Sequence, residues 1–292
     1  MHRIPAVSVL PTLFTLANLV CGFFAIVAAA RVEAPTSADV PTTSAIHLSP
    51  AAPTQILRDL DKEDPVHNCM LAGWLIFLAM IFDALDGHVA RLAKTSSDFG
   101  AQLDSLCDVV TFGVAPAFLL VKLCPGFTYN HSQMIWIIAA AYACCAALRL
   151  ARFNVETDDD DDHMNFSGLP SPAAASVIAG FAILFYALRR DDNPLPYAAE
   201  IDLAVQWAAP FVALLAAALM VSRVPYPHVV NQFFRGNRSF GHVVGVVFAL
   251  AVIMIIRGYA VPLACLAFLF LGPIRYIWQE YFQRHPHDEP LF

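Results

Sequence analysis

The sequence predicts an all-α polytopic membrane protein, and two observations predict it. Of 292 residues, 58% are hydrophobic and 14% charged, against roughly 45–50% apolar and about 25% charged in a soluble domain. The apolar residues also gather into eight windows, each near the roughly 20 residues that a helix needs to cross a hydrocarbon core. A water-soluble chain of this composition lacks the polar surface to cover itself. Disorder is excluded for most of the chain, because it requires low hydrophobicity. With 17 Lys+Arg against 24 Asp+Glu, a net charge of −7, no basic surplus exists to meet phosphates, so no nucleic-acid partner is expected.

The expected spans are 8–30, 69–90, 105–124, 133–151, 171–188, 203–222, 240–257 and 259–278. The first resembles a signal peptide in starting near Arg3, but its apolar run exceeds a typical h-region and carries Thr12, Thr15 and Asn18. The fourth and sixth, around Ile135 to Leu148 and Ala208 to Val221, are strongly apolar. The third is weaker, because it opens with Asp104 and Asp108. Pro170 and Pro172 are expected to shape the start of the fifth. The whole chain, 1–292, reads as one membrane domain with a core at about 8–222 and two extra C-terminal spans at about 240–278.

Loops complete the topology. Placing the N-terminus in the cytoplasm puts ten of the 17 Lys and Arg inside and seven outside, a positive-inside bias. Residues 31–68 are hydrophilic, rich in Pro, Thr, Ser and Ala before turning charged. They read as an extracytoplasmic insertion, partly disordered, with a short interfacial helix near 54–62. The run Asp158 to Asp162 reads as a solvated loop, because adjacent carboxylates repel. The seven cysteines form no C-x2-C pair and read as small buried hydrophobes.

One stretch breaks the membrane pattern. Asp83 and Asp86 stand at the cytoplasmic end of the second span, and Asp104 and Asp108 at the start of the third. Carboxylates at membrane depth are costly and mark function. Asp83, Asp86, Gly87, Ala90 and Arg91 share one face of a helix, as do Gly100, Asp104 and Asp108 if helix begins near Ser97. The short linker makes the two helices antiparallel neighbours whose acidic faces converge. Four carboxylates together require cations, and all-oxygen ligands select hard ions such as Mg²⁺, Mn²⁺ or Ca²⁺. His88 falls at another helical angle and is not a ligand. Gly87 leaves a bare spot for a bulky group, Ala90 keeps the groove shallow, and Arg91 offers a forked cation for a phosphate oxygen. Metals beside an arginine point to phosphate chemistry; a purely structural ion-pair network or a cation-transport site is the competing reading.

At these residues the chain resembles the CDP-alcohol phosphatidyltransferase family, whose pattern D-x2-D-G-x2-A-R-x8-G-x3-D-x3-D is matched at every spacing from Asp83 to Asp108. The resemblance implies a six-helix membrane core and two divalent cations, Mg²⁺ or Mn²⁺. It implies that Asp83 and Asp104 bridge both metals, Asp86 binds one, and Asp108 binds the other and acts as the catalytic base. Gly87, Arg91 and Ser97 would contact the diphosphate of CDP-diacylglycerol. Family members often carry P-N-x-x-T in the first span; here Pro11 and Thr15 match, with Thr12 in place of Asn, so Thr12 and Thr15 are expected at the nucleotide. The stretches 99–117, 149–155, 168–175 and 221–228 resemble the bacterial-type branch that transfers to L-serine.

The implied reaction is attack of the serine hydroxyl on the phosphorus that carries diacylglycerol, with CMP leaving. Arg149 and Arg152, followed by Asn154, lie at the cytoplasmic end of the fourth span, where an arginine can pair with the serine carboxylate. Alternatively, both arginines are headgroup anchors. Glycerol 3-phosphate or an inositol phosphate would be other acceptors of the same chemistry, and a cation-coupled transporter is a further alternative. The resemblance also implies a homodimer in the lipid bilayer of the inner cell membrane, multi-pass, with its active site facing the cytoplasm.

Overall fold

The computed structural model describes residues 9–32, 65–93, 98–156, 168–189, 196–224, 226 and 257–282. Among these residues the chain is helical, without strands. Helix α1 is Val9–Ala30, α2 Pro65–Ala93, and α3 Asp98–Asp108. A π-helical segment, Val109–Val114, joins α3 to α4, Ala115–Leu123. Then follow α5 (Pro125–Asn130), α6 (Ser132–Glu156), α7 (Ser171–Leu188), α8 (Ala198–Val221) and α9 (Ala260–Phe282).

Among the described residues, six helical stretches are long and apolar enough to cross a membrane: Thr12–Ala30, Val66–Gly87, Phe99–Leu123, Ser132–Val155, Ser171–Leu188 and Ala198–Val221. The third differs from expectation. Helix begins at Asp98, close to the Ser97 start that the shared acidic face required, but the span opens at Phe99 rather than 105, so Asp104 and Asp108 sit one to three turns inside it instead of at its mouth. Of the two extra C-terminal spans, 240–256 lies outside the described residues, and α9 carries a shorter apolar stretch, Ala260–Tyr276. The insertion between 33 and 64 and the Asp158 to Asp162 run also lie outside the described residues.

In α1 the exposed residues include Leu13, Leu16, Val20 and Phe23, whereas Thr15 and Asn18 are buried. This inside-out polarity suits a helix whose outer face meets lipid and whose polar groups must find protein partners. Close approach relies on small residues. Gly22 abuts Thr111, Gly73 lies against the backbone of Ala179, and Gly113 faces Ala146. Helix α7 is lined with buried Ala174, Ala175, Ala179 and Ala182 and packs against α2, α8 and α9. Its start is fixed by Gly168, whose φ of +96° only glycine adopts readily. The Gly168 N–H donates to Val224 O at 2.9 Å and the Leu169 N–H to Leu219 O at 3.0 Å, clasping the α7 start to the α8 end.

At the opposite end of the bundle, Arg189 forms a forked pair with Asp202, at 2.9 and 3.1 Å. Gln206 donates to the same carboxylate at 2.8 Å. Lys122 caps Val32 O at 2.8 Å. Cys21, Cys69, Cys107 and Cys124 are buried free thiols, as expected for packing residues, while Cys144 is exposed.

Candidate active site

The two acid-bearing helices converge at their acidic ends, but they are not packed neighbours. Helix α1 packs extensively on α2 and also on α3, the π segment and α4, whereas α2 and α3 barely touch. Close packing of α2 on α3 is thus not seen among the described residues, although their acidic faces do converge. Helix α1, packed on both, supplies hydrogen-bond donors to two of the acids.

One carboxylate oxygen from each of Asp83, Asp104 and Asp108 lies within 4.8 Å of the others, a grouping that could hold a metal ion. Asp108 is buried; Asp83 and Asp104 are partly buried. Asp104 Oδ1 is buried without a hydrogen-bond partner. An orphaned carboxylate oxygen beside two other carboxylates fits a missing hard cation, because only a cation or a donor offsets that desolvation. Asp86 is buried on the same stretch of α2, close enough to Asp83 and Asp104 to interact electrostatically. It accepts a hydrogen bond from the Thr15 hydroxyl of α1. Thr15, expected at the nucleotide, thus engages a motif carboxylate. Thr12 is partly buried, one turn earlier on α1.

Asp108 accepts a hydrogen bond from Asn18 Nδ2 at 2.9 Å. The Thr111 hydroxyl donates to the Asn18 backbone carbonyl at 3.3 Å. Sequence reasoning noted Asn18 as a polar residue of the first span and gave it no role at the site. Its polar identity in the middle of an apolar span was the signal that could have singled it out.

A Cβ built at Gly87 meets no atom within 4 Å. The bare spot read from the sequence is thus open space beside the acids. Arg91 follows on the last turns of α2, and Ser97 lies outside the described residues.

Arg149 of α6 stands close enough to Asp108 to interact electrostatically. Its Nη1 donates to Ser171 Oγ at 3.1 Å, and its Nε is buried without a partner. A partly buried guanidinium with an unused edge is suited to an anion. Ser171, at the first turn of α7, is a contact that sequence reasoning missed. Asn154 donates to Ser105 Oγ at 2.9 Å, and the Ser105 hydroxyl donates back at 3.3 Å. This reciprocal pair ties α6 to α3, between Asp104 and Asp108. Arg152 is partly buried on the same helix.

Comparison with known proteins places this geometry. A protein of Methanocaldococcus jannaschii named CDP-diacylglycerol–serine O-phosphatidyltransferase is 37% identical over 207 residues, covering 70% of this chain and 83% of that protein. One of the same name from Helicobacter pylori is 36% identical over 165 residues, covering 56% and 62% of the two chains. An archaetidylserine synthase of Methanothermobacter thermautotrophicus is 36% identical over 160 residues, covering 53% and 57%. The family model for CDP-alcohol phosphatidyltransferase matches residues 8–222, from the foot of α1 to the end of α8, and this chain therefore belongs to the CDP-alcohol phosphatidyltransferase family.

Proposed function

We propose that the protein transfers the phosphatidyl group of CDP-diacylglycerol to the hydroxyl of L-serine, forming phosphatidylserine and releasing CMP. The observation that carries this reading is the gathering of three motif carboxylates within 4.8 Å, with the partly unused guanidinium of Arg149 facing Asp108. The names of the relatives support serine as the acceptor.

In this reading Asp83, Asp86, Asp104 and Asp108 hold two divalent cations, Mg²⁺ or Mn²⁺. When bound, the cations polarise phosphoryl oxygens and acidify the attacking hydroxyl. Asp108 takes the proton of the serine hydroxyl as the oxygen attacks phosphorus. Arg91 and Ser97 hold the diphosphate, and the open ground at Gly87 admits it. Thr12 and Thr15 flank the nucleotide from α1. Arg149 pairs with the serine carboxylate, held in aim by Ser171; Arg152 reinforces the positive field, and Asn154 steadies α6 against α3.

The lipid tails remain in the bilayer and reach the site between helices. The proposal includes an inner-membrane location, an active site open to the cytoplasm and a homodimeric assembly. The catalytic unit is the 8–222 core of a single membrane domain, with the C-terminal helices as an addition and 31–68 as an extracytoplasmic insertion.

The test is CMP release from CDP-diacylglycerol by purified protein in detergent. Serine, glycerol 3-phosphate, an inositol phosphate and no acceptor are compared with Mg²⁺ or Mn²⁺, with excess chelator, and in Asp108→Asn. Release that needs serine and a divalent cation, and that disappears in Asp108→Asn, supports the reading. Release with another alcohol overturns serine as acceptor. Absence of CMP release from folded, metal-binding protein overturns the enzyme and returns the cation transporter.

A further inference from the structure

We infer that Asn18 is a positioning residue that holds the Asp108 carboxylate in its working orientation. The inference rests on the proposed role of Asp108. Asn18 is 0% exposed and lies on α1, the helix that packs on both acid-bearing helices. Its Nδ2 donates to Asp108 Oδ1 at 2.9 Å. A carboxylate only accepts, so the amide must turn its N–H₂ toward Asp108. The other end of the amide, Asn18 Oδ1, is then left buried without a partner.

That arrangement is unfavourable for packing alone. A leucine at this position would fill a similar volume without the orphaned amide oxygen, at the loss of the donor to Asp108. The cost is offset where the amide grips Asp108 in a charge-assisted hydrogen bond. One oxygen of Asp108 accepts from the amide, and the same carboxylate offers a ligand atom to the Asp83 and Asp104 grouping.

Two further contacts fix this stretch of α1. The Thr111 hydroxyl donates to the Asn18 backbone carbonyl at 3.3 Å. Thr111 lies in the π-helical segment directly after Asp108, a geometry that often accompanies functional sites. One turn before Asn18, Thr15 makes the corresponding contact with Asp86. Helix α1 therefore reaches one acid on α2 and one on α3 from a single polar edge, and Asn18 is the member that sets the proposed base.

The experiment uses the full chain in detergent or nanodiscs, comparing wild type, Asn18→Leu, Thr111→Val and Asp108→Asn. Four quantities are measured: kcat, KM for each substrate, Mn²⁺ affinity of the unliganded protein by electron paramagnetic resonance, and Tm. Removing a partner that orients a metal-binding carboxylate typically costs about 10–100-fold in activity or metal affinity. We expect Asn18→Leu to lose kcat and Mn²⁺ affinity in that range. Both KM values should stay within about twofold, and the losses should persist at temperatures where the variant is still fully folded. Thr111→Val should shift kcat and Mn²⁺ affinity in the same direction by less, and it decides the matter if Asn18→Leu does not fold.

Wild-type kcat and Mn²⁺ affinity in Asn18→Leu overturn the inference, as does a loss of activity that only tracks a fall in Tm. If Asp108→Asn is itself fully active, the functional reading has failed. If Asp108→Asn is dead and Asn18→Leu is normal, the inference alone has failed.

Discussion

Gly22→Ala makes a demanding test, because the methyl group is small and its consequence can be worked from coordinates. A Cβ at position 22 would collide with Thr111 Oγ1 and stand 2.9 Å from both Thr111 Cα and Cβ. Backbone cannot swing aside, so α1 must lift from the π-helical segment by roughly 0.6–1 Å to restore carbon–carbon contact at about 3.5–4.0 Å. Asn18 lies one turn earlier on α1, and its 2.9 Å bond to Asp108 stretches with the lift. Added to that distance, the shift carries it to about 3.5 Å or more, past the roughly 3.2 Å limit of a sound N–H···O bond. The expected result is a fall of about 10–100-fold in kcat, or about 1.4–2.8 kcal/mol of transition-state stabilisation. The assay is CMP release at saturating serine and CDP-diacylglycerol, with Tm measured in parallel. Wild-type kcat in folded Gly22→Ala would refute the reasoning that α1 must sit against Thr111 to set Asp108.

Gly87→Ala is the opposite case, since its Cβ meets no protein atom within 4 Å. Tm should be unchanged while KM for CDP-diacylglycerol rises by about tenfold or more, the cost of losing close approach to a bulky ligand; an unchanged KM would remove Gly87 from the nucleotide site. Arg149→Lys loses the forked geometry that suits a carboxylate. It should raise KM for serine by about tenfold or more and leave KM for CDP-diacylglycerol in place, because losing a charge-assisted hydrogen bond costs about 1.5–3 kcal/mol. Equal effects on both substrates would reassign Arg149 to the shared acid cluster. Stripping divalent cations with a chelator should abolish CMP release, and restoring Mg²⁺ or Mn²⁺ should recover it; activity that survives chelation would overturn the metal reading of Asp83, Asp104 and Asp108.

Several features were legible in the chain before its folding was known. The apolar windows announced the membrane helices, because a bilayer imposes a length that composition alone can satisfy. The carboxylates at Asp83, Asp86, Asp104 and Asp108 stood out because ionisable groups are rare at that depth, and helical spacing put them on shared faces. What shares a face is a property of one helix, and the sequence determines it.

What meets across helices is decided only by packing. In a membrane the lipid side and the protein side of a helix are equally apolar, so hydrophobic periodicity does not reveal which face turns inward. For that reason α1 was read for its motif threonines, while its packing against both acid helices and the grip of Asn18 on Asp108 emerged only from the fold. The same holds for Arg149, whose hydroxyl partner Ser171 comes from a different helix, and for Asn154, which turns to Ser105. The sequence determined the helices and the chemistry they carry. The tertiary structure decided which side chains share a site, because that depends on small residues such as Gly22 and Gly113, which set how closely one helix can approach another.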